Sequence, residues 1–148
     1  GWKMSEILPE TIIEGIRDYI RTYTGLKEGA PVWVERLGNE PTEYAVLPLA
    51  GRRVVAEYIT GKRVMEYSFA FRSMESTADD LVRMENNGFY ESFAQWLDDQ
   101  TDAGDLPNLP AGMYAEGIEA LGQGFLFQEG NSDTGIYQVQ CRLVYEQN

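Results

Sequence analysis

The chain contains no histidine and a single cysteine, Cys141, among its 148 residues. Without histidine there is no Ser-His-Asp or Cys-His nucleophile activation, and the commonest general base near neutral pH is missing. One thiol closes no internal disulfide and builds no structural zinc spacing, which fits a reducing compartment. Cys141 falls in an apolar alternating run, where it reads as a small buried hydrophobe rather than a reactive thiolate. Basic residues are scarce too: 12 Lys and Arg face 24 Asp and Glu, a formal net charge of −12. Such a surface repels phosphate, so the chain is not expected to read nucleic acid in a sequence-specific way. There is no run of about 18 apolar residues to span a bilayer and no basic-then-apolar start, so no membrane partner is expected.

Apolar residues make up 43% of the chain, ordinary for a globular protein. A chain of this length buries roughly two-thirds of its unfolded surface, enough for a core without disulfide staples. No tandem repeat or low-complexity linker divides it, and residues 1–148 are expected to form one domain. In "LPETIIEGIRDYIRTYTG", Ile12, Ile13, Ile16, Tyr19, Ile20 and Tyr23 recur at helical spacing, with Glu14, Arg17, Asp18 and Arg21 opposite. Pro9 suits the first turn and Gly25 the end, which predicts a helix of about four turns.

"APVWVERL" reads as a short strand and "GNEP" as a turn. "YAVLPLA" follows, where Pro48 withholds a ladder donor and predicts a sheet edge or bulge. "GRRVVAEYITGKRVMEYSFAFRS" reads as two long strands about Thr60-Gly61-Lys62. In its second arm Met65, Tyr67, Phe69 and Phe71 share one face. The first arm has apolar groups on both faces, so part of it is expected to be covered twice. "STADDLVRMENNGFYESFAQWLDDQ" predicts a second helix, with Thr77 as N-cap and Asp80 three positions on. Phe89, Phe93, Trp96 and Leu97 mark its apolar face, and Asn86-Asn87-Gly88 predicts a break or kink. "MYAEGIEALGQGFLFQEG" is one irregular strand or two short ones. After a turn of Gly, Asn, Ser and Asp, "TGIYQVQCRLVYEQ" sets Tyr137, Val139, Cys141, Leu143 and Tyr145 on one face.

Motif searches for chemistry end without a site. In "DDQTDAGD" a calcium loop begun at Asp98 needs glycine at its sixth position and glutamate at its twelfth, where the chain has Ala103 and Leu109. "GQGF" lacks the third glycine and the Lys-Ser/Thr of a phosphate loop, so Gly122 or Gly124 reads as a strand bend or bulge. Glu116 and Glu119 have opposite parity along a strand and make no obvious carboxylate pair. No catalytic residue, metal ligand or cofactor site is assigned. The basic pairs Arg52/Arg53 and Lys62/Arg63 hold four of the 12 Lys and Arg residues and fall near opposite ends of one extended stretch. They read either as strand-end charge guarding against edge pairing or as positive spots that meet acidic surface on a neighbouring copy, as a head-to-tail ring requires. On the closing strand, Gln138, Gln140, Arg142 and Glu146 form the outward set, facing solvent or a partner.

The order of elements, with "YSFAFRSMESTADDLVRMENNGFYESFAQWL" and "ALGQGFLFQEGNSDTGIYQVQCRLVYEQ" as its most characteristic stretches, resembles the minor capsid or tail-terminator-like proteins of long-tailed bacteriophages and prophages. In that family a hairpin strand leads into a helix with aromatics spaced like Phe93 and Trp96. A glycine-plus-aromatic segment and a final strand of the type Thr134–Gln138 with Tyr145 and Glu146 follow. The resemblance implies an α+β fold: a mixed, mainly antiparallel sheet of about five or six strands, packed by an N-terminal and a central helix. It also implies a non-enzymatic virion protein, assembled in the bacterial cytoplasm as a homo-oligomeric ring, commonly a hexamer. The implied partners are its own copies, the tail tube protein and the head connector protein. Another neck or tail-completion component, or a cytoplasmic protein-binding module, is the alternative. The interface candidates are Arg52, Arg53, Lys62, Arg63, Gln138, Gln140, Arg142 and Glu146. The acidic balance fits either solubility or a lumen through which DNA passes without adhering.

Overall fold

Two long alternating segments form the centre of the structure, a computed structural model that describes residues 7–38, 41–130 and 133–148. They are β3 (Arg63–Ser76) and β6 (Thr134–Gln147). The two pair antiparallel over their whole length without a register shift, from Arg63 opposite Gln147 to Ser76 opposite Thr134. Because side chains alternate along a strand, this register puts Met65, Tyr67, Phe69 and Phe71 beside Tyr145, Leu143, Cys141 and Val139 on one face. All eight are buried.

Flanking strands extend this pair on both sides. β2 (Glu43–Glu57) lies antiparallel to β3, and β1 (Val32–Val34) runs parallel to the first part of β2. β4 (Met113–Ala120) and β5 (Phe125–Glu129) both pair antiparallel with β6, at different heights along its other side. The result is an α+β fold whose six-stranded, mainly antiparallel sheet has the order β1-β2-β3-β6-β4, with β5 also on β6. The stretch read as one irregular strand or two is therefore two. Pro48 sits at a register shift between Pro48 and Gly51, so "YAVLPLA" and "GRRVVAE" are one bulged strand rather than two. The turns expected at Gly38–Pro41 and Gly130–Asp133 fall partly on residues 39, 40, 131 and 132, which lie outside the described residues.

Two helices close the apolar face. α1 (Ile12–Ile20) is shorter than the four turns expected from its spacing, because Thr11 is extended and its hydroxyl accepts from the Glu14 amide. Pro9 therefore precedes the cap. The predicted apolar side, Ile12 to Tyr23, is buried as expected. Gly15 is needed where it stands: a Cβ there would run into the Asn108 carbonyl and the Pro9 ring. α2 (Asp80–Ala103) is capped by Asp79, not Thr77; the Asp79 carboxylate accepts from the Val82 amide at 2.9 Å. Gly104, at φ 74°, ends it in the left-handed conformation, with the Asp105 amide reaching back to the Gln100 carbonyl. Phe93 stacks on Phe71 with centroids 4.4 Å apart, and Tyr23 meets both Phe93 and Trp96, so both helices share one core.

Two expectations are corrected. Asn86-Asn87-Gly88 does not break α2, which is helical from Asp80 to Ala103. Asn86 donates to the Ser76 carbonyl and Asn87 to the Arg83 carbonyl, so their side chains are satisfied within a helical backbone. Phe89, Tyr90 and Phe93 fix the next turn in the core, and packing outweighs local propensity. The first arm of the hairpin is not covered twice. Residues 52–63 are exposed on both faces, since no described element lies over them.

Gly88 offers a direct check on the continuous helix. A Cβ at that position meets nothing within 4 Å, and the backbone is helical. Gly88→Ala should therefore raise stability by about 0.5–1 kcal/mol, read as a higher urea midpoint. A lower midpoint would indicate that the chain bends there.

Candidate functional site

Several titratable groups inside the fold have structural partners, although the buried Tyr145 hydroxyl has no hydrogen-bond partner among the described residues. Cys141 is fully buried, and burial pushes its thiol well above the ordinary range, so it is inert as a nucleophile. Glu75 is buried on the core side of β3, where Thr42 donates to its Oε1 at 3.0 Å. Burial raises its pKa above the ordinary 4.5, against the opposing pull of the Ser73 and Thr42 hydroxyls and the Lys27 charge. Next to it, Ser73 and the Tyr90 hydroxyl are 2.6 Å apart, and Tyr90 also donates to the Tyr137 carbonyl. This chain of polar atoms ties α2 to β3 and β6 below the surface. Glu75 lines none of the surface concavities beside β4, along α1, at Arg21–Val32 or around Leu37 and Leu47. Among the described residues no group of three or more His, Cys, Asp or Glu side chains is placed to hold a metal ion.

The edges of the sheet are the more informative feature. β1 covers β2 only at Tyr44, Ala45 and Val46, so from Leu47 to Glu57 the outer side of β2 has no strand beside it among the described residues. Leu49, Val54, Val55, Tyr58 and Ile59 are exposed along this edge and its turn. A long edge with apolar side chains is a template for association unless it is blunted, and Pro48, two bulges and the arginines blunt it only in part. The opposite edge is closed at its middle. There Thr101 of α2 donates to the Ile118 carbonyl and accepts from the Ile118 amide, occupying the groups that a further strand would use.

The two edges also differ in charge. Arg52, Arg53, Lys62 and Arg63 cluster on the β2–β3 hairpin, with Glu57 as the lone acid between Arg52 and Arg63. From Met84 to Cys141, which spans most of α2, β4 and β5, there is no lysine or arginine at all. Glu85, Glu91, Asp98, Asp99, Asp102, Asp105, Glu116, Glu119, Glu129 and Asp133 all fall within that stretch. Beside β4, an open groove of about 420 Å³ is lined by Asp98, Asp102 and Glu119 together with Thr101, Ile118 and Arg142. One edge is basic and bare; the other is acidic and partly closed.

The residues singled out from the sequence separate into three groups. Arg52 and Arg53 lie on β2, while Lys62 and Arg63 lie at the turn end of the same hairpin, where Arg63, on the second arm, is level with Glu57. Arg53 pairs with Glu66 at 3.3 Å, Lys62 with Glu146 at 3.5 Å and Arg63 with Glu57 at 3.7 Å. Surface pairs of this kind contribute about 0–1 kcal/mol, so their cations can exchange partners at low cost. Arg142 is taken up within the sheet: with Arg53, Glu66 and Glu119 it forms a ladder of charge across β2, β3, β6 and β4. Glu146 lies beside Glu116, whose carboxyl is raised by burial and then by that neighbour. Gln140 is exposed, whereas Gln138 is corrected to an interior position at 4% exposure. It accepts from Arg72, which in turn lies over the Phe127 ring. Thr101 and Tyr90 were missed, although Tyr90, Phe93, Leu97 and Thr101 follow one another at helical spacing. Among the described residues no helix is long and apolar enough to cross a membrane. Compared with protein-family models and with curated proteins, the chain matches none.

Glu75 sets a pH dependence whose sign is fixed by its raised pKa. The folded state holds that proton more tightly than the unfolded state. Its favourable contribution is therefore complete below the unfolded pKa and is lost as pH rises through the folded one. Glu75→Gln keeps an acceptor for Thr42 without the buried charge. The variant should unfold at a higher urea concentration than the parent at pH 7, and the gap should shrink towards pH 4. A gap that grows in acid would contradict the assignment.

Proposed function

We propose that the chain is a structural protein of bacteriophage or prophage tail assembly, acting as a ring of copies that caps the tail tube and joins it to the head connector. The observation that carries this reading is the sheet with a bare basic edge on one side and an acidic edge on the other. A contact between unlike surfaces of identical subunits is head-to-tail, and such contacts close into rings when the rotation per subunit allows it. Glu75 and Tyr90, buried in the fold, are engaged in holding it, which supports an activity located on outer surfaces. The resemblance to tail-terminator-like proteins adds the identity of the neighbours. Its support lies in the long strand β3 running into the aromatic helix α2, followed by two glycine-bounded strands on the closing strand β6.

In mechanism, a ring of this kind presents one face to the last ring of the tube and a different face outwards. Growth stops because the outward face does not repeat the surface that tube subunits recognise, and that face becomes the docking platform for the connector. The net charge of −12 suits a passage that DNA crosses without adhering. A neck or tail-completion component is the second reading: it uses the same edges between copies and differs only in which neighbour it meets.

Growing tail tubes in the presence of the purified chain tests the proposal. Stoichiometric addition should arrest elongation, and negative-stain micrographs should show extra ring density at one end of each tube. Tubes of unchanged length with bare ends would contradict tube capping, and binding to connector rings alone would favour the neck reading.

A further inference from the structure

We infer that the bare β2 edge of one copy lies antiparallel along the β4 edge of a second copy, its hairpin cations facing the acidic groove between β4 and α2. This deepens the assembly reading above and rests on it for the occupant, a second copy of this chain. The first argument is one of height. Through the registers of β2, β3, β6 and β4, Arg52 is level with Tyr67, Leu143 and Ile118, and Arg53 with Glu66, Val144 and Gly117. Glu57 is level with Arg63, Gln147 and Met113 by the same route. A copy that continues the sheet sideways therefore brings Gly51–Glu57, part of its free stretch, against Met113–Glu119 of its neighbour.

The second argument is charge complementarity at that same height. Arg52 and Arg53 arrive opposite Gly117, Ile118 and Glu119, which line the groove with Asp98 and Asp102. Asp98 and Asp102 are exposed and form no ion pair among the described residues, because Arg142, the cation in the groove, is taken by Glu66 and Glu119; Asp99 and Asp105, by contrast, each accept from a glutamine. Near Met113 the Glu116 and Glu146 carboxylates already have Lys62 of their own copy beside them, so the charge match rests on Arg52 and Arg53. Both edges also carry exposed apolar groups in the single chain, Val54 and Val55 on one and Tyr114 on the other. Thr101 already holds the Ile118 backbone groups, so at that level the contact is made by side chains.

The test is a charge exchange read by sedimentation velocity, with folding checked by circular dichroism. The parent chain should associate, and association should weaken as salt rises. Arg52→Glu/Arg53→Glu and Asp98→Lys/Asp102→Lys should each weaken association by about tenfold or more, since like charges then face each other. An equimolar mixture of the two variants should restore it, because each now offers the edge the other lacks. A monomeric parent, a variant that associates like the parent, or a mixture no better than its components would overturn the inference. A parent that associates through these edges but ignores tail tube would leave the inference standing and remove the tail reading. A monomer that still caps tubes would do the reverse.

Discussion

The unbroken pairing of β3 with β6 is the constraint on which the rest of the structure depends. Two runs of 14 residues meet in a single register, which places the central apolar side chains that the helices cover. A slip of one residue would turn Phe69, Phe71, Val139 and Cys141 to the opposite face and leave α1 and α2 with nothing to cover. Phe71 is the meeting point: it contacts Tyr44 of β2 and Phe89, Tyr90 and Phe93 of α2. The remaining strands add to this pair from outside, and the way they add determines which backbone groups are left open.

That addition is unequal on the two sides. β1 is three residues long and covers only the beginning of β2, so the later part of β2 has no outer neighbour among the described residues. On the far side, the C-terminal half of α2 lies against β4, and a single threonine satisfies both edge groups of Ile118. Charge follows the same division, because the cations of the hairpin and the acids of α2 and β4 belong to separate stretches of chain. A sheet built this way has a direction, and direction is what a head-to-tail assembly requires. Copies with identical edges would face each other with like charge. The proposed tail role and the proposed edge contact both draw on this polarity, and they part only over what the assembled ring then meets.

Much of the fold was legible in the sequence because alternation and helical spacing are strong signals where one face is buried. The core faces of α1, β3 and β6 follow from them residue by residue, as do the hairpin and the bulge at Pro48. The errors have local physical causes. Asn86-Asn87-Gly88 has poor helix propensity, but its amides find carbonyl partners and its neighbours Phe89 and Tyr90 are held in the core. Thr77 resembles a cap, yet Asp79 is the residue whose carboxylate reaches the free amide. Apolar residues on both faces of the first hairpin arm suggested double cover, whereas they mark surface that the single chain leaves open. Gln138 shares the outward parity of Gln140, but Arg72, itself held over the Phe127 ring, donates to its side chain, and parity alone carries no information about what crosses above a strand. The candidate surface was half legible: the basic pairs stood out, while the cation-free stretch from Met84 to Cys141 took its meaning only from the strand order.

The central claim is that the stretch of β2 beyond β1 is where copies meet. Amide hydrogen exchange, compared between the dilute monomer and the assembled form, tests it most directly. Between Leu49 and Glu57, the amides of β2 that point away from β3 should exchange quickly in the monomer and slow markedly on assembly, with a matching slowing along β4. Assembly that leaves those amides as fast as before, and protects some other part of the chain, would contradict the account.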